Sequence, residues 1–364
     1  MRFKKSLPLE ILPLFLLTLC LGPRAARAMP VYGGDSRQDV YQVSDAGLKR
    51  LADSTVSLVD TVQLKEYPSD GSIGLFSNSN LDAPAAYVNG VSPDSPDIPL
   101  NEKARFYGQP VAAFCSGALI TPSVILTAGH CLNPKDSQTK CPHIAVVFGF
   151  SADRNSQVRQ RFSKDDVYYC RKELYGYKQP TQDDPQYEDW GLILLDRPVR
   201  GRIPLVVDRS GSVRPGTEVF TIGHPQGMAT KITGKAVVRK IYGDFFEANI
   251  DIFHGNSGGP VFDADSLAIV GIADTESYQD FYLRKDGTAG VVNRPVDDPN
   301  GGLIQSVSVP LAQMRKLLAP ASHRPKPPQV ATQSPTVSAS APMPSASSSA
   351  TFRRLSAAAA SGRF

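Results

Sequence analysis

His254-Gly255-Asn256-Ser257-Gly258-Gly259-Pro260 decides how this chain is read, because it sets a serine among glycines directly before a run of strand-forming residues. Gly255 lets the backbone turn so that its own N–H and that of Ser257 point at one oxygen, and Gly258 and Gly259 leave room for a second molecule to approach. A serine hydroxyl is a weak nucleophile at neutral pH. It needs an imidazole to take its proton and a carboxylate to hold that imidazole in one tautomer. Working outward, both are present upstream. Leu126-Thr127-Ala128-Gly129-His130-Cys131 ends an apolar run on a histidine, and Glu188-Asp189-Trp190-Gly191-Leu192-Ile193-Leu194 opens one on a carboxylate.

Among the acids near the second segment, Asp183, Asp184 and Glu188 lie in a polar stretch beside Pro180 and Pro185. Asp189 stands directly before the apolar run, where its side chain can be fixed against an imidazole. His130 is therefore the candidate base, Asp189 its orienting acid with Asp184 next, and Ser257 the nucleophile. Gly255 and Ser257 are the candidate oxyanion donors. Of the other histidines, His143 follows Pro142, His323 lies near the C-terminus, His224 sits in a Gly-His-Pro turn and reads as structural, and His254 reads as a residue on the rim of the cleft.

The fold follows from the spacing of the apolar runs. Thr55–Val59, Ala112–Ile120, Val124–Ala128, Ile144–Phe150, Trp190–Leu195, Glu218–Ile222, Ala236–Ile241, Phe246–Ile250, Pro260–Phe262 and Leu267–Ile272 are short and broken by Pro198, Pro204, Pro215-Gly216, Gly223, Pro225 and Gly243. That pattern predicts an all-β barrel or sandwich. Two segments read as helical, Ser44–Asp53 and a second from Pro310 through Leu311, Met314, Leu317 and Leu318. Residues 64–108, rich in Pro, Ser, Asn, Asp and Gly, read as a long irregular surface insertion. Residues 319–364 are Pro, Ser, Ala and Thr with little that could pack, and read as a disordered tail.

Residues 1–28 read as a secretory signal peptide: Arg2, Lys4 and Lys5 precede the apolar run Ile11–Leu21, which is broken by Pro13, and Ala26-Arg27-Ala28 follows. The run is too short for a membrane span, so none is expected after cleavage. The leader's net charge equals the formal +4 of the whole chain, so the exported part is neutral. The tail holds Arg324, Lys326, Arg353, Arg354 and Arg363 and no acid, which leaves the body between them net acidic. Such a body lacks the basic footprint that a nucleic-acid partner requires.

Of the chain's 5 cysteines, Cys20 leaves with the leader, and an even remainder in an exported chain reads as two disulfides. Four cysteines allow three pairings. Cys115 sits at the end of a strand candidate and Cys131 follows the base, which favours Cys115 with Cys131 and Cys141 with Cys170. No cysteine or histidine pair has the close spacing of a zinc site, and no metal or cofactor is expected.

These segments resemble those of the trypsin-like serine peptidases, the chymotrypsin-fold superfamily. Residues 127–131 match the family's base motif with its bridging cysteine, 189–195 its acid-bearing strand, and 255–260 its nucleophile loop. The resemblance implies two six-stranded antiparallel Greek-key barrels, about 29–205 and 206–318, with a C-terminal helix after the second. It implies catalysis in the crevice between them and polypeptide substrates. The whole reads as a secreted or periplasmic monomer, with a catalytically silent homologue that binds envelope components as the alternative. Digestive members carry an acid directly before the serine. Asn256 there is similar instead to the bacterial glutamyl-endopeptidase branch, as is Gly34-Asp35-Ser36-Arg37 to a segment near the mature N-terminus of that branch. In the trypsin branch an aspartate six positions before the serine selects Lys or Arg, and Asp251 stands six before Ser257; with it, Ala273 and Asp274 are expected toward the substrate beside the rim residue His254. Glutamyl endopeptidases have Ile-Gly-Ile-His where this chain has Val270-Gly271-Ile272-Ala273, followed by Asp274.

Overall fold

Twelve strands carry the computed structural model, which describes residues 34–77, 79–81, 88–89, 101–132, 140–176, 189–208, 210–211, 213–242, 245–274, 281–283, 290–292 and 302–306. They are β1 (Thr55–Asp60), β2 (Cys115–Thr121), β3 (Val124–Thr127), β4 (Ile144–Phe148), β5 (Val167–Tyr175) and β6 (Gly191–Leu195), then β7 (Glu218–Gly223), β8 (Ala236–Tyr242), β9 (Phe245–Ala248), β10 (Pro260–Asp263), β11 (Ile269–Ala273) and β12 (Gly302–Ser306). The first six close into a barrel in the order β4-β5-β6-β3-β2-β1, all antiparallel. The other six pair as β7-β8-β9-β12-β11-β10, and β10 returns to β7, so this set also closes on itself.

Each strand explains its own apolar run. In β3, Ile125 faces the interior of the first barrel with Val56, Leu58, Val146 and Phe148, while Val124 and Leu126 join a second cluster with Leu192, Phe220, Ile222, Phe262, Ile269 and Ile272. That second cluster draws on both barrels and is the apolar seam between them. Strands buried on both faces read as continuous apolar runs rather than alternating ones, which is what the sequence shows here. Val219, Val238, Phe246, Val261 and Val270 fill the second barrel.

Helix α1 (Ala46–Asp53) starts two residues later than Ser44, because the Asp45 side chain caps it by accepting from the Leu48 N–H at 2.9 Å. The insertion 64–108 is less irregular than its composition implies. Leu64–Tyr67 and Ser72–Leu75 pair as a hairpin, and Arg161–Phe162 extends it. Its turn is closed by Gly71 at φ +67°. The N-terminal segment joins the second barrel rather than the first: Gln38–Asp39 pairs with Lys231–Ile232, which itself pairs with β7. The leader, the helix expected from Pro310, the tail, and Asp183, Asp184 and Glu188 all lie outside the described residues.

Both expected disulfides are formed, Cys115–Cys131 and Cys141–Cys170. The first closes a separation of 16 residues, worth about 3 kcal/mol in the chain-entropy account. Among the described residues, no helix is long and apolar enough to cross a membrane.

His224 is structural in the way its sequence context indicates. It is 1% exposed, stacks on Phe150 at 5.8 Å, and its Nδ1 lies 3.0 Å from the Met228 carbonyl oxygen. Burial, aided by the Lys231 charge, pushes its pKa down to about 4. The ring is thus neutral in the folded chain and titrates at its ordinary value when unfolded. Between those two pH values the unfolded state binds the extra proton, so stability is full above pH ~6.5 and falls as pH drops toward 4, by about 3 kcal/mol in total. Urea unfolding at neutral pH and near pH 4.5 checks this: His224→Gln should flatten the acid loss relative to the parent, and an unchanged loss would contradict it.

Candidate active site

The register of two strands brings the acid to the base. Gly191 of β6 pairs with Thr127 of β3, so the residues just beyond the ladder, Asp189 on one side and Gly129-His130 on the other, come together. Gly129 is required by that approach, since a Cβ there would sit 2.9 Å from Asp189 Oδ1 and 3.1 Å from the Trp190 backbone. The chain then enters a single 3₁₀ turn, His130–Leu132, anchored by the Cys115–Cys131 bridge.

Asp189 grips His130 twice. Its Oδ1 accepts the His130 backbone N–H at 2.7 Å, and its Oδ2 lies 2.6 Å from His130 Nδ1. Asp189 is only 2% exposed, whereas the His130 side chain is 38% exposed and open to the crevice. Burial pushes the Asp189 carboxyl up, but the His130 ring and its hydrogen bonds outweigh that and hold it below the usual carboxylate range. Burial likewise lowers His130, and the Asp189 charge and hydrogen bond overcome it, leaving the imidazole above its ordinary value. An ionised carboxylate can only accept, so Nδ1 carries the proton and Nε2 keeps its lone pair for a hydroxyl.

The serine loop is tied to β2, which pairs with the strand that precedes the base. Ser116 in β2 donates its backbone N–H to the Ser257 carbonyl at 2.8 Å. Its hydroxyl donates to the Gly255 carbonyl at 2.7 Å and accepts the His224 N–H at 3.0 Å. Gly255 and Gly258 adopt φ +85° and +79°. At Gly258 a Cβ would lie 2.2 Å from Thr127 Oγ1 and 2.5 Å from the Ala128 nitrogen, so only glycine lets the loop close on β3. Behind the loop, Gly258 N–H donates to the Ala273 carbonyl and Ala273 N–H to the Gly259 carbonyl, each at 2.8 Å. Ser257 is 5% exposed and its carbonyl oxygen is 3.7 Å from Cys131 Sγ, the residue after the base. Nothing in the sequence marks Ser116 as the strut of this arrangement.

The four residues expected toward a substrate separate in space. His254 is half-buried at the start of the serine loop, and Ala273 is fully buried in the ladder with that loop. Asp251 is 4% exposed and engages the N-terminal segment: its Oδ2 accepts the Ser36 N–H at 3.0 Å and the Ser36 hydroxyl at 2.5 Å. Asp274 lies behind the base, its Oδ1 3.9 Å from His130 Nδ1. The N-terminal segment reaches the serine loop in another way as well. Arg37, 2% exposed, forms a two-point pair with Asp35 at 2.9 and 2.8 Å and stacks on Phe253 at 4.0 Å. Arg105 donates to the backbone carbonyls of Asp35 and Arg37. Buried Lys231 completes the cluster with Asp39 at 2.7 Å.

Among the described residues, two groups bring three metal-type donors within 4.8 Å of one another: Cys115, His130 and Cys131, and His130, Asp189 and Asp274. The first holds a disulfide, whose sulfurs are not thiolates. In the second, the close His130 to Asp189 contact is a hydrogen bond that already uses Nδ1.

A closed antiparallel barrel ending in a histidine gripped by a buried aspartate, with a glycine-bracketed serine loop tied to it, defines the class of chymotrypsin-like serine peptidases. Residues 115–272 match the family model for the trypsin-like peptidase domain. A venom serine protease of Polistes dominula is 34% identical over 89 residues, covering 24% of this chain and 31% of its own length, so the chain spans about a third of that relative. Similar solved structures include the scabies mite inactivated protease paralogue S-D1, at 13% identity and TM-score 0.44, covering 81% of this chain and 99% of its own. A Glu endopeptidase in complex with MPD, at 17% identity and TM-score 0.43, covers 79% and 99%.

Proposed function

We propose that the protein is an exported serine endopeptidase that hydrolyses peptide bonds through an acyl-enzyme on Ser257. The observation that carries this reading is the double grip of Asp189 on His130, in a chain whose serine loop is hydrogen-bonded to β2, the strand paired with the one leading into that histidine. His130 Nε2 takes the Ser257 proton as the hydroxyl attacks the scissile carbonyl, and Asp189 stabilises the imidazolium that forms. The backbone N–H groups of Gly255 and Ser257 receive the oxyanion. His130 then gives the proton to the leaving amine, and water repeats the cycle on the acyl-enzyme. One chain supplies every group in this scheme.

The two disulfides support export, since such bonds persist in oxidising compartments. Because Asp251 is bonded to Ser36, we assign it to anchoring the N-terminal segment beneath the serine loop, and assign no basic-residue preference to it. The test is digestion of a peptide library read by mass spectrometry. Endoproteolytic cuts sharing a side-chain preference at the scissile bond are expected. A folded protein that cuts nothing and takes up no serine-directed reagent would instead be a silent relative.

A further inference from the structure

Asp274 stands where the triad has no stated need of a second acid. Its Oδ1 is 3.9 Å from His130 Nδ1, the nitrogen that Asp189 Oδ2 holds at 2.6 Å. The donor atoms of the three side chains lie within 4.8 Å of one another. Both carboxyl groups are withdrawn from water, Asp189 at 2% and Asp274 at 3% exposure. The placement is built into the fold. Ala273 is hydrogen-bonded in both directions to Gly258 and Gly259, so the strand that supports the serine loop delivers its next residue beneath the base.

Two carboxyl groups this close, out of water, cannot both be ionised without strong repulsion, and one proton between them removes it. Asp189 is not the protonated partner. Its two oxygens each accept from His130, at 2.7 and 2.6 Å, which is the work of a carboxylate. We propose that Asp274 is a positioning residue held as a neutral carboxylic acid, which donates a hydrogen bond to Asp189 so that the pair carries one negative charge and presents it to His130. Burial pushes the Asp189 carboxyl up, while the charge and hydrogen bonds of His130, and after them a hydrogen bond from Asp274, hold it down.

The consequence for the reaction rests on the peptidase reading. The Asp274 hydrogen bond fixes the Asp189 carboxylate against both His130 N–H groups and draws charge from it, which limits how far the imidazole is raised. The shared proton stays with the pair while the Ser257 proton moves to Nε2 and on to the leaving amine. At alkaline pH the shared proton is lost, and a second charge beside Nδ1 then repels Asp189 and displaces it. The described titratable groups facing Asp274 are His130, from the turn after β3, and Asp189, ahead of β6. Gly258 and Gly259, packed on Ala273, bring no charge, and the Cys115–Cys131 disulfide does not titrate.

The experiment compares the full chain with Asp274→Ala and Asp274→Asn in pH profiles of kcat and KM. It adds nuclear magnetic resonance titration of the His130 ring and the infrared band of a protonated carboxyl. Asp274→Ala should lose kcat by about tenfold or more, the size of one hydrogen bond to a charged group, with KM unchanged and the His130 titration moved up. Asp274→Asn, an amide donor without charge, should restore most of that kcat and abolish the alkaline limb. It should also remove the infrared band that the parent shows at neutral pH. Asn failing as badly as Ala, a silent Ala variant, or a parent without the band would overturn the proposal. If the parent neither cleaves nor labels, the peptidase reading fails, and the ring titration and infrared band still decide the shared proton by themselves.

Discussion

Ser257→Ala is expected to abolish covalent labelling by a serine-directed fluorophosphonate and to lower kcat on a peptide substrate by about 10⁶-fold, the size of losing a nucleophile whose partners act as a unit. The fold should survive. The loop is held by backbone bonds from Ser116 to the Ser257 carbonyl and between Gly258, Gly259 and Ala273, none of which uses the hydroxyl. Circular dichroism and urea unfolding should therefore match the parent. Labelling that persists in this variant, at any serine near the crevice, would overturn the assignment of the nucleophile.

Asp189→Asn is expected to cost about 10⁴-fold in kcat at neutral pH with little change in KM. Two His130 donors converge on Asp189, the backbone N–H at 2.7 Å and Nδ1 at 2.6 Å, each with its own carboxylate oxygen. An amide has only one oxygen to offer. Its NH₂ group faces the other site and favours the tautomer in which Nδ1 accepts and Nε2 carries the proton. That imidazole cannot act as base toward Ser257. Kinetics and ring nitrogen shifts together check this, and a variant within tenfold of the parent, or one that keeps the parent tautomer, would contradict it.

The parts of the site that the sequence made legible are those fixed by neighbours in the chain. Gly129, Gly255 and Gly258 announce tight turns, and the apolar runs beside them announce strands, so His130, Asp189 and Ser257 could be placed at strand ends before any coordinates. Strand β5 carries no clear strand signal in the sequence. Tyr168 and Cys170 face inward, but two register irregularities against β6 and the charged run Arg171-Lys172-Glu173 break its alternation. The hairpin inside 64–108 was hidden in the same way, by a composition that reads as loop.

What stayed illegible depends on contacts between residues far apart in sequence. Asp251 finds Ser36 at a separation of 215 positions, and no local pattern distinguishes an anchor for the N-terminal segment from a wall of the cleft. Asp274 follows a strand whose register against β10 shifts between Val261 and Phe262, so counting along the chain does not tell which way the next side chain leaves. The structure sends it to the base.

The central claim is that Ser257 and His130 work as one unit at the mouth of the seam between the two sheets. A crystal structure of the fluorophosphonate-treated protein tests this most directly. The account predicts a phosphonyl group on Ser257 Oγ, with its oxygen about 3 Å from the Gly255 and Ser257 nitrogens and His130 Nε2 within hydrogen-bond reach of the adduct. An unmodified Ser257, or an adduct out of reach of the His130 ring while Asp189 still holds that ring, would contradict it.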